Sequence, residues 1–339
     1  DYIIPSTFDP RLISVIPAAV AEAAMKSGVA RKSITDFEIY KDQLTNRLDP
    51  TMSLMQGINA KIRKNPKRVI FAEGEDENML KAAIEFGRNK LGFPILIGAE
   101  KRIKEQLKNI GLDENYKIEI VNSTDKEKRK KYVKHLYKKL QREGQLERDV
   151  DRLVRNERIA WGASMIACKD ADAMVTGNIR HYAASIEKLK KVTEPRPGEE
   201  IFGMTMITLK GKTILVADTN VQDFPSPERL VKVSKSCVRV ARLFGFDPKV
   251  AFLSHSTFGQ PATDRTKRIS DAVQILKERK VDFKFDGEMQ PDVALEETYK
   301  ELYPFSEIVG SANVLIMPSQ HSAAISFKTM KSMSRAKVI

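Results

Sequence analysis

The chain has 339 residues, of which 42% are hydrophobic, so it can bury a sizeable core and is long enough for two domains. Its 58 Lys and Arg outnumber its 45 Asp and Glu, and the resulting formal charge of +13 favours anionic ligands. The lysines are dispersed through helical stretches without a nucleic-acid-binding motif, so we predict no nucleic-acid partner. A solvated basic face, or a site for a phosphorylated small molecule, explains the charge better.

Cysteine and histidine usage excludes two further kinds of protein. Cys168 and Cys237 are the only cysteines and lie in apolar or helical segments, which is typical of structural thiols in a reducing cytoplasm and excludes a disulfide scaffold. The four histidines are far apart in sequence, so we predict no metal site.

We predict no membrane span, because no apolar run is long enough. The first residues lack an initiator Met and a signal pattern, so we expect the chain to begin inside a longer protein.

The first fifty residues predict two helices. Residues 12–30 show an Ala-rich helical pattern after Pro17, and Gly28 closes it. Residues 36–48 carry four apolar side chains at helical spacing, which indicates a helix with one apolar face.

From residue 68 the pattern alternates between strands and helices. Strands are predicted at residues 68–73, 93–98, 117–121 and 171–177, and helices at 77–87 and 126–139. Strand, helix and strand within about thirty residues are typical of a parallel sheet with helices on its faces. The Pro-rich stretch 194–198 either ends this domain or forms a long loop.

A second α/β unit follows. Its predicted strands are residues 201–208, 212–217, 249–254, 283–285 and 312–317. A helix over residues 226–244 is well marked, because Ser226 can cap its start, Pro227 suits its first turn and Gly245 closes it.

Polar residues follow several of these strands. The turn 71–76 favours a helix start with a capping acid over a ligand site, because Gly and Asp are ordinary at such turns. Ser254, Ser256 and Thr257 follow a strand, where ligands bind in open α/β sheets, and their hydroxyls can donate to phosphate or pantetheine oxygens. The alternative is a helix N-cap. A Ser–His nucleophile is disfavoured, because adjacent side chains on extended backbone point opposite ways.

Two more strand-to-loop junctions complete a predicted cleft. Asp286 and Gln290 follow the strand at 283–285, where an acid could orient a ligand or act on a thiol proton. Asn313 and the segment 319–322 form the third junction. Taken in isolation, the segment 285–292 also fits a simple turn.

Five segments, in this order and spacing, resemble the phosphate acetyl/butyryl transferase family: residues 71–76, 171–177, 253–257, 286–290 and 312–318. The resemblance covers about Leu48 to the end. It implies two α/β/α three-layer domains, as in phosphotransacetylase and isocitrate dehydrogenase, with an acyl-CoA site in the interdomain cleft. It also implies a homodimer or a higher oligomer.

Residues 1–46 resemble the end of a bacterial malic enzyme domain, on the segments 1–12 and 16–21. The expected organisation is this tail and a linker helix over 1–46, one domain over 47–195 with 310–339, and a second over 196–309. Such hybrids imply a malic enzyme domain of the same polypeptide, which converts malate to pyruvate with NADP and a divalent metal bound outside this chain. The appended domain is expected to bind acetyl-CoA as an allosteric effector.

Departures from the family's active members predict weak transferase activity. The alignment places Leu140 and Glu187 where active members carry arginines, and it leaves Arg142 and Arg180 as the nearest candidate phosphate cations. The family's Ser-Arg and Asp segment has no match before Ile339, so no catalytic residue is assigned. The expected acetyl-CoA or phosphate contacts are Ser254, Ser256, Thr257, Asp286, Gln290, Asn313, Arg142 and Arg180. An active phosphate acetyltransferase and a structural oligomerisation module are the alternatives.

Overall fold

The structure is a computed structural model. It describes residues 12–34, 36, 37, 40, 44, 50–112, 117–209, 212–221, 223–334 and 337–338. The chain divides into two compact units: residues 57–194, and the described residues before 57 together with those of 195–339. Within these ranges, no helix is long and apolar enough to cross a membrane.

Two helices precede the first strand. Helix α1 (Leu12–Lys26) contains Pro17 rather than following it, and Gly28 comes next in the left-handed conformation at φ +74°. Helix α2 (Pro50–Lys64) carries three basic residues in its last turn, where they complement the helix dipole. Most of the predicted helix over 36–48, and the segment 1–11, lie outside the described residues.

The unit 57–194 is built on a four-stranded parallel sheet in the order β3-β2-β1-β4. Its elements are β1 (Lys67–Phe71), α3 (Glu77–Arg88), β2 (Gly92–Ile97), α4 (Glu100–Asn109), β3 (Glu119–Val121), α5 (Lys126–Leu140), α6 (Glu147–Asn156), α7 (Arg158–Ala167), β4 (Ala173–Val175) and α8 (Tyr182–Val192). Asp76 caps α3 by accepting the Met79 N–H at 3.0 Å, which confirms the predicted capping acid in the turn 71–76.

Helices cover both faces of this sheet. Neighbouring residues of β1 point to opposite faces, as strand geometry requires. Ile70 packs with residues of α5, α6 and α7, whereas Phe71 packs with α3 and α4. Both apolar faces of the sheet are therefore buried, and the unit has three layers.

The second unit contains a six-stranded sheet in the order β10-β5-β6-β9-β7-β8. Its elements are β5 (Met204–Leu209), β6 (Lys212–Ala217), α9 (Pro227–Leu243), β7 (Lys249–Leu253), α10 (Asp264–Glu278), β8 (Lys284–Met289), α11 (Pro291–Leu295), β9 (Val314–Ile316), α12 (Gln320–Met333) and β10 (Lys337–Val338). Strands β6, β9, β7 and β8 run parallel, while β5 pairs antiparallel with both neighbours. Ser226 caps α9 and Pro227 opens it, as predicted.

This sheet is also covered on both faces. In β7, Val250 and Phe252 pack with α9 and α10, and the alternating Ala251 and Leu253 pack with α11 and Ala323 of α12.

The strand β9 corrects the predicted assignment of residues 310–339. It lies between β6 and β7 in the six-stranded sheet, so these residues belong with the second unit and not with 47–195. All three residues of β9 are buried. A fully apolar run predicts a buried strand, but it does not say which sheet the strand joins.

Candidate ligand-binding site

The carboxyl ends of β6, β9, β7 and β8 share one edge of the six-stranded sheet, because these strands are parallel. In open α/β sheets, ligands bind at this edge. Three of the connections that leave it carry polar residues: the loop after β6, the loop 254–263 after β7, and the turn into α12 after β9.

A buried carboxylate fixes the loop after β7. Glu288 is 2% exposed, and its Oε1 accepts the Ser256 hydroxyl at 3.1 Å and the Gly259 N–H at 2.6 Å. Gly259 is in the left-handed region at φ +88°, which glycine adopts at low cost. Glu288 of β8 therefore fixes the conformation of this loop.

The same loop is tied to the end of β8 at three further points. The Ser254 N–H donates to the Met289 carbonyl at 2.9 Å, and the Gln290 N–H donates to the Thr257 hydroxyl at 3.2 Å. The Gln290 side-chain amide donates to the His255 carbonyl at 2.8 Å. The structure thus brings Ser254, Ser256, Thr257 and Gln290 together, as the sequence predicts.

These residues do not all face solvent. Ser256 is fully buried and its hydroxyl is engaged by Glu288, so it holds the loop and cannot touch a ligand in this conformation. Ser254 is half-buried, and the alternative reading as a helix N-cap is wrong, because Thr263 caps the following helix α10.

Asp286 and Asn313 lie away from the edge. Strand β8 continues to Met289, so Asp286 pairs with Ala251 within the sheet, and its carboxylate accepts the Gly287 N–H at 2.9 Å. Asn313 precedes β9 and bonds the Lys249 N–H at 2.8 Å and the Asp247 carbonyl at 2.7 Å. Because Lys249 begins β7, Asn313 lies at the opposite edge of the sheet and does not join the predicted site.

The two predicted cations belong to the unit 57–194. Arg142 lies in the exposed turn between α5 and Gly144. Arg180 donates to the Glu157 carboxylate at 3.1 Å, and Lys188 binds the same oxygen at 2.7 Å. Arg180 is therefore neutralised in this conformation.

The edge of the six-stranded sheet also contains a cavity of about 370 Å³. Its walls come from three loops and from helices α10 and α12. They are formed by Asp223, Phe224, Ser254, His255, Arg265, Arg268, Ile269, Pro318, Ser319, His321 and Ser322. Of the predicted site residues, Ser254 alone reaches this cavity.

Arg268 organises the cavity wall. Its guanidinium donates to the carbonyls of Pro225 at 2.8 Å and Pro318 at 3.0 Å, and it lies 3.7 Å from the ring centre of Phe224. Burial, and then the nearby charge of Arg265, lower the pKa of the Arg268 guanidinium below its usual range.

Sequence reasoning missed Arg265 and Arg268. The available signal was their spacing of three residues at the start of a helix, which places both side chains on one face. Ser319, which caps α12 by accepting the Ser322 N–H at 3.1 Å, was found as part of the third junction.

Within the described ranges, no group of three or more His, Cys, Asp or Glu residues could hold a metal ion. Cys168 and Cys237 are both free, and burial raises the pKa of the Cys237 thiol to about 12.

One α/β unit on a parallel sheet, and a second on a mixed sheet with a polar loop cluster and a cationic cavity at the carboxyl ends of its parallel strands, define a protein of the α/β class with a candidate ligand site. The chain belongs to the Phosphate acetyl/butaryl transferase family, whose model matches residues 53–339. This confirms the family that the sequence motifs predict. A phosphotransacetylase from Streptococcus pyogenes has the same fold, with a TM-score of 0.78 at 23% identity over 84% of this chain and 87% of that chain.

Two kinds of curated relatives match the sequence. The NADP-dependent malic enzyme of Rhizobium meliloti (strain 1021) is 44% identical over 339 residues, which are 100% of this chain and 44% of that protein. The phosphate acetyltransferase of Clostridium acetobutylicum is 29% identical over 299 residues, which are 85% of this chain and 89% of that protein. The chain therefore spans less than half the length of the malic enzymes that it matches.

Proposed function

We propose that this chain is a regulatory domain that binds acetyl-CoA and is fused to an NADP-dependent malic enzyme domain in the same polypeptide. The match to the Rhizobium meliloti malic enzyme supports the fusion, because it takes in 100% of this chain but only 44% of that protein. The NADP and the divalent metal of malate decarboxylation would bind in the other domain.

The edge of the six-stranded sheet carries the proposal for acetyl-CoA. The loop 254–259 is held to β8 by Glu288 and Gln290, which fixes its position before any ligand arrives. Ser254 and two arginines reach the adjacent cavity. Hydroxyl donors and cations are complementary to the amide and phosphate oxygens of an acyl-CoA.

Two features support weak transferase activity. Leu140, at a position where the resemblance implies an arginine, is 3% exposed and packs in the core of its unit. Glu187, at the second such position, is exposed and pairs with Lys191 at 3.4 Å. A transferase must stabilise phosphate and the oxyanion that forms when phosphate attacks the thioester, and loss of one such donor typically costs about 100- to 1,000-fold.

Regulation then follows from differential affinity. If acetyl-CoA binds one arrangement of the protein more tightly than another, it shifts the population toward that arrangement and changes the rate of the attached enzyme. The interdomain cleft and the homodimer implied by the family resemblance stay predictions.

Calorimetric titration of acetyl-CoA into this chain, with an assay for acetyl phosphate formation in the same preparation, tests the proposal. We expect saturable binding without appreciable turnover. Ser254→Ala should weaken binding. Ser311→Ala is the control and should not weaken it, because Ser311 does not line the cavity and its hydroxyl donates to the Glu307 carbonyl at 3.1 Å.

Each other outcome rejects part of the proposal. Rapid acetyl phosphate formation would establish an active phosphate acetyltransferase instead of a sensor. Absence of acetyl-CoA binding at millimolar concentration would contradict the effector role and favour a structural oligomerisation module.

A further inference from the structure

The cavity beside α10 and α12 has an excess of positive charge. Arg265 and Arg268 line it, and among the described residues neither forms an ion pair. Arginines elsewhere in the same unit are paired, such as Arg242 with Asp282 at 2.9 Å and Arg279 with Glu228 at 2.8 Å. Two neighbouring guanidinium groups without a carboxylate partner repel each other, and an anion between them relieves that repulsion.

The remaining walls offer hydrogen-bond donors. The first turn of α12 contributes Ser319 and Ser322, and the start of a helix carries partial positive charge. His255 and His321 also line the cavity. Among the described residues that line it, Asp223 is the single carboxylate, so this lining keeps a net positive charge at neutral pH.

Arg268 is held in place by the protein and not by solvent. Two of its N–H groups are used by the Pro225 and Pro318 carbonyls, and its Nε is buried without a partner in the described structure. These bonds pin the loop after β6 and the loop after β9 to α10. The positive charge of the cavity is therefore preorganised. Arg265 is exposed and remains available to a ligand.

An aromatic ring lies at the cavity wall. Phe224 is 66% exposed although Arg268 stacks on one of its faces at 3.7 Å. Exposed aromatic faces stack nucleobases, and a neighbouring arginine strengthens such contacts.

From this arrangement we infer that the cavity is a nucleotide-phosphate site, in which Arg265 binds a phosphate group and Phe224 stacks the base. The inference deepens the proposed function and rests on it, since the phosphorylated nucleotide end of acetyl-CoA is the part of that effector with this chemistry. It assigns ligand roles to Arg265 and Phe224, and it makes Arg268 a positioning residue.

The test uses the full 339-residue chain and three probes: adenosine 3′,5′-bisphosphate, inorganic pyrophosphate and adenosine. We expect calorimetry to detect the bisphosphate and to show that adenosine binds at least about tenfold more weakly, because the charged contacts are lost. The Arg265→Gln substitution should weaken the bisphosphate and pyrophosphate by about tenfold or more.

Lys267→Gln is the matched control. It removes the same charge from an exposed position of α10 that does not line the cavity. We expect it to change bisphosphate affinity by less than about twofold, since exposed charges at a distance are screened by salt. Unchanged affinity in Arg265→Gln, or equal weakening in both variants, would overturn the inference.

Phe224→Ala tests the base contact separately. It should weaken the bisphosphate but leave pyrophosphate affinity unchanged, because pyrophosphate has no base. Equal weakening of both probes would contradict stacking on Phe224 and indicate a collapsed wall.

The two proposals can fail independently. If acetyl-CoA does not bind but the bisphosphate binds and depends on Arg265, the proposed effector is wrong and the nucleotide-phosphate site stands. If acetyl-CoA binds with equal affinity to the parent chain and to Arg265→Gln, the effector role stands and this assignment of the cavity is wrong.

Discussion

At the residue scale, two nearby hydroxyls have different roles. Ser256 is fully buried and donates to Glu288, whereas Ser254 is half-buried and lines the cavity. The sequence does not separate them, because both belong to one short polar segment after β7. Only the fold of the loop over Glu288 distinguishes a structural hydroxyl from one that reaches a ligand.

Ser256→Ala should therefore affect stability first. Loss of a buried hydroxyl that bonds a carboxylate costs about 1 to 3 kcal/mol in the free energy of unfolding, measured by urea denaturation. Ser254→Ala should leave that free energy nearly unchanged and weaken acetyl-CoA binding. The reverse pattern would show that the roles are exchanged.

Substitution of Glu288 is expected to lower the free energy of unfolding more than substitution of Ser254 or Ser256. Glu288→Ala removes the acceptor of the buried Ser256 hydroxyl and of the half-buried Gly259 N–H, and loss of the acceptor of a buried donor costs about 1 to 3 kcal/mol. Urea denaturation should show a loss within that range or larger. Glu301→Ala, at an exposed position, is the control and should change stability by less than about 0.5 kcal/mol.

At the element scale, Glu75 joins the turn after β1 to α4 and α7. It accepts the Ala99 N–H at 2.8 Å and pairs with Arg158 at 2.9 Å and Arg102 at 3.4 Å. Burial raises the pKa of the Glu75 carboxyl, but the three partners together lower it by more than burial raises it. The pKa of Glu75 therefore lies below its usual value.

The lowered pKa of Glu75 predicts how the stability of the fold depends on pH. Because the folded-state pKa is lower than the unfolded value of about 4.3, the stabilisation by Glu75 is complete above that pH and is lost as pH falls through the folded-state pKa. The stability difference between the parent chain and Glu75→Gln should thus be largest near neutral pH and shrink in acid. A difference that is constant with pH, or no larger than for exposed Glu105→Gln, would contradict the assignment.

The start of α9 gives an element-scale test of capping. Ser226 accepts the Arg229 N–H at 3.3 Å. Ser226→Ala should lower the free energy of unfolding by about 1 kcal/mol, and Ser226→Asp should retain most of it, because Asp is also a good N-cap. Thermal or urea denaturation of the three chains checks the order. Equal stability of the Ala and Asp variants would show that this cap does not stabilise the helix.

Elements with strong local signals were predictable from the sequence. The capping acid Asp76 and the helix signals Ser226 and Gly245 all lie within a few residues of the structure that they specify. The exceptions have a shared cause. Asp286 lies inside β8 because it pairs with Ala251. Asn313 lies just before β9, where its side chain accepts the Lys249 N–H. Ala251 and Lys249 are distant in sequence from Asp286 and Asn313, so local sequence patterns could not predict these contacts.

At the scale of the whole molecule, the alternation of strand and helix patterns predicted the α/β class and the order of the motifs predicted the family, which is confirmed. The membership of β9 in the six-stranded sheet was not predictable, because pairing of buried apolar strands depends on the complete topology. The same limit applied to the candidate site. Arg268 contacts Phe224 and Pro318, and Arg265 lines the same cavity, only because α10 packs beside two loops that are distant in sequence.

This chain matches only part of the malic enzymes that it resembles. A relative of more than twice its length contains the whole of the matched sequence. The proposed regulation by acetyl-CoA therefore requires the longer protein, whereas the proposed binding of acetyl-CoA requires only this chain.

The most direct test measures both in that longer protein. Malate-dependent reduction of NADP is followed as acetyl-CoA is raised. We predict a saturable change in rate whose midpoint equals the acetyl-CoA dissociation constant of that same longer protein, and Ser254→Ala should shift both values by the same factor, because coupling acts through the same binding step. A rate that stays constant at acetyl-CoA concentrations that saturate this chain would contradict the account.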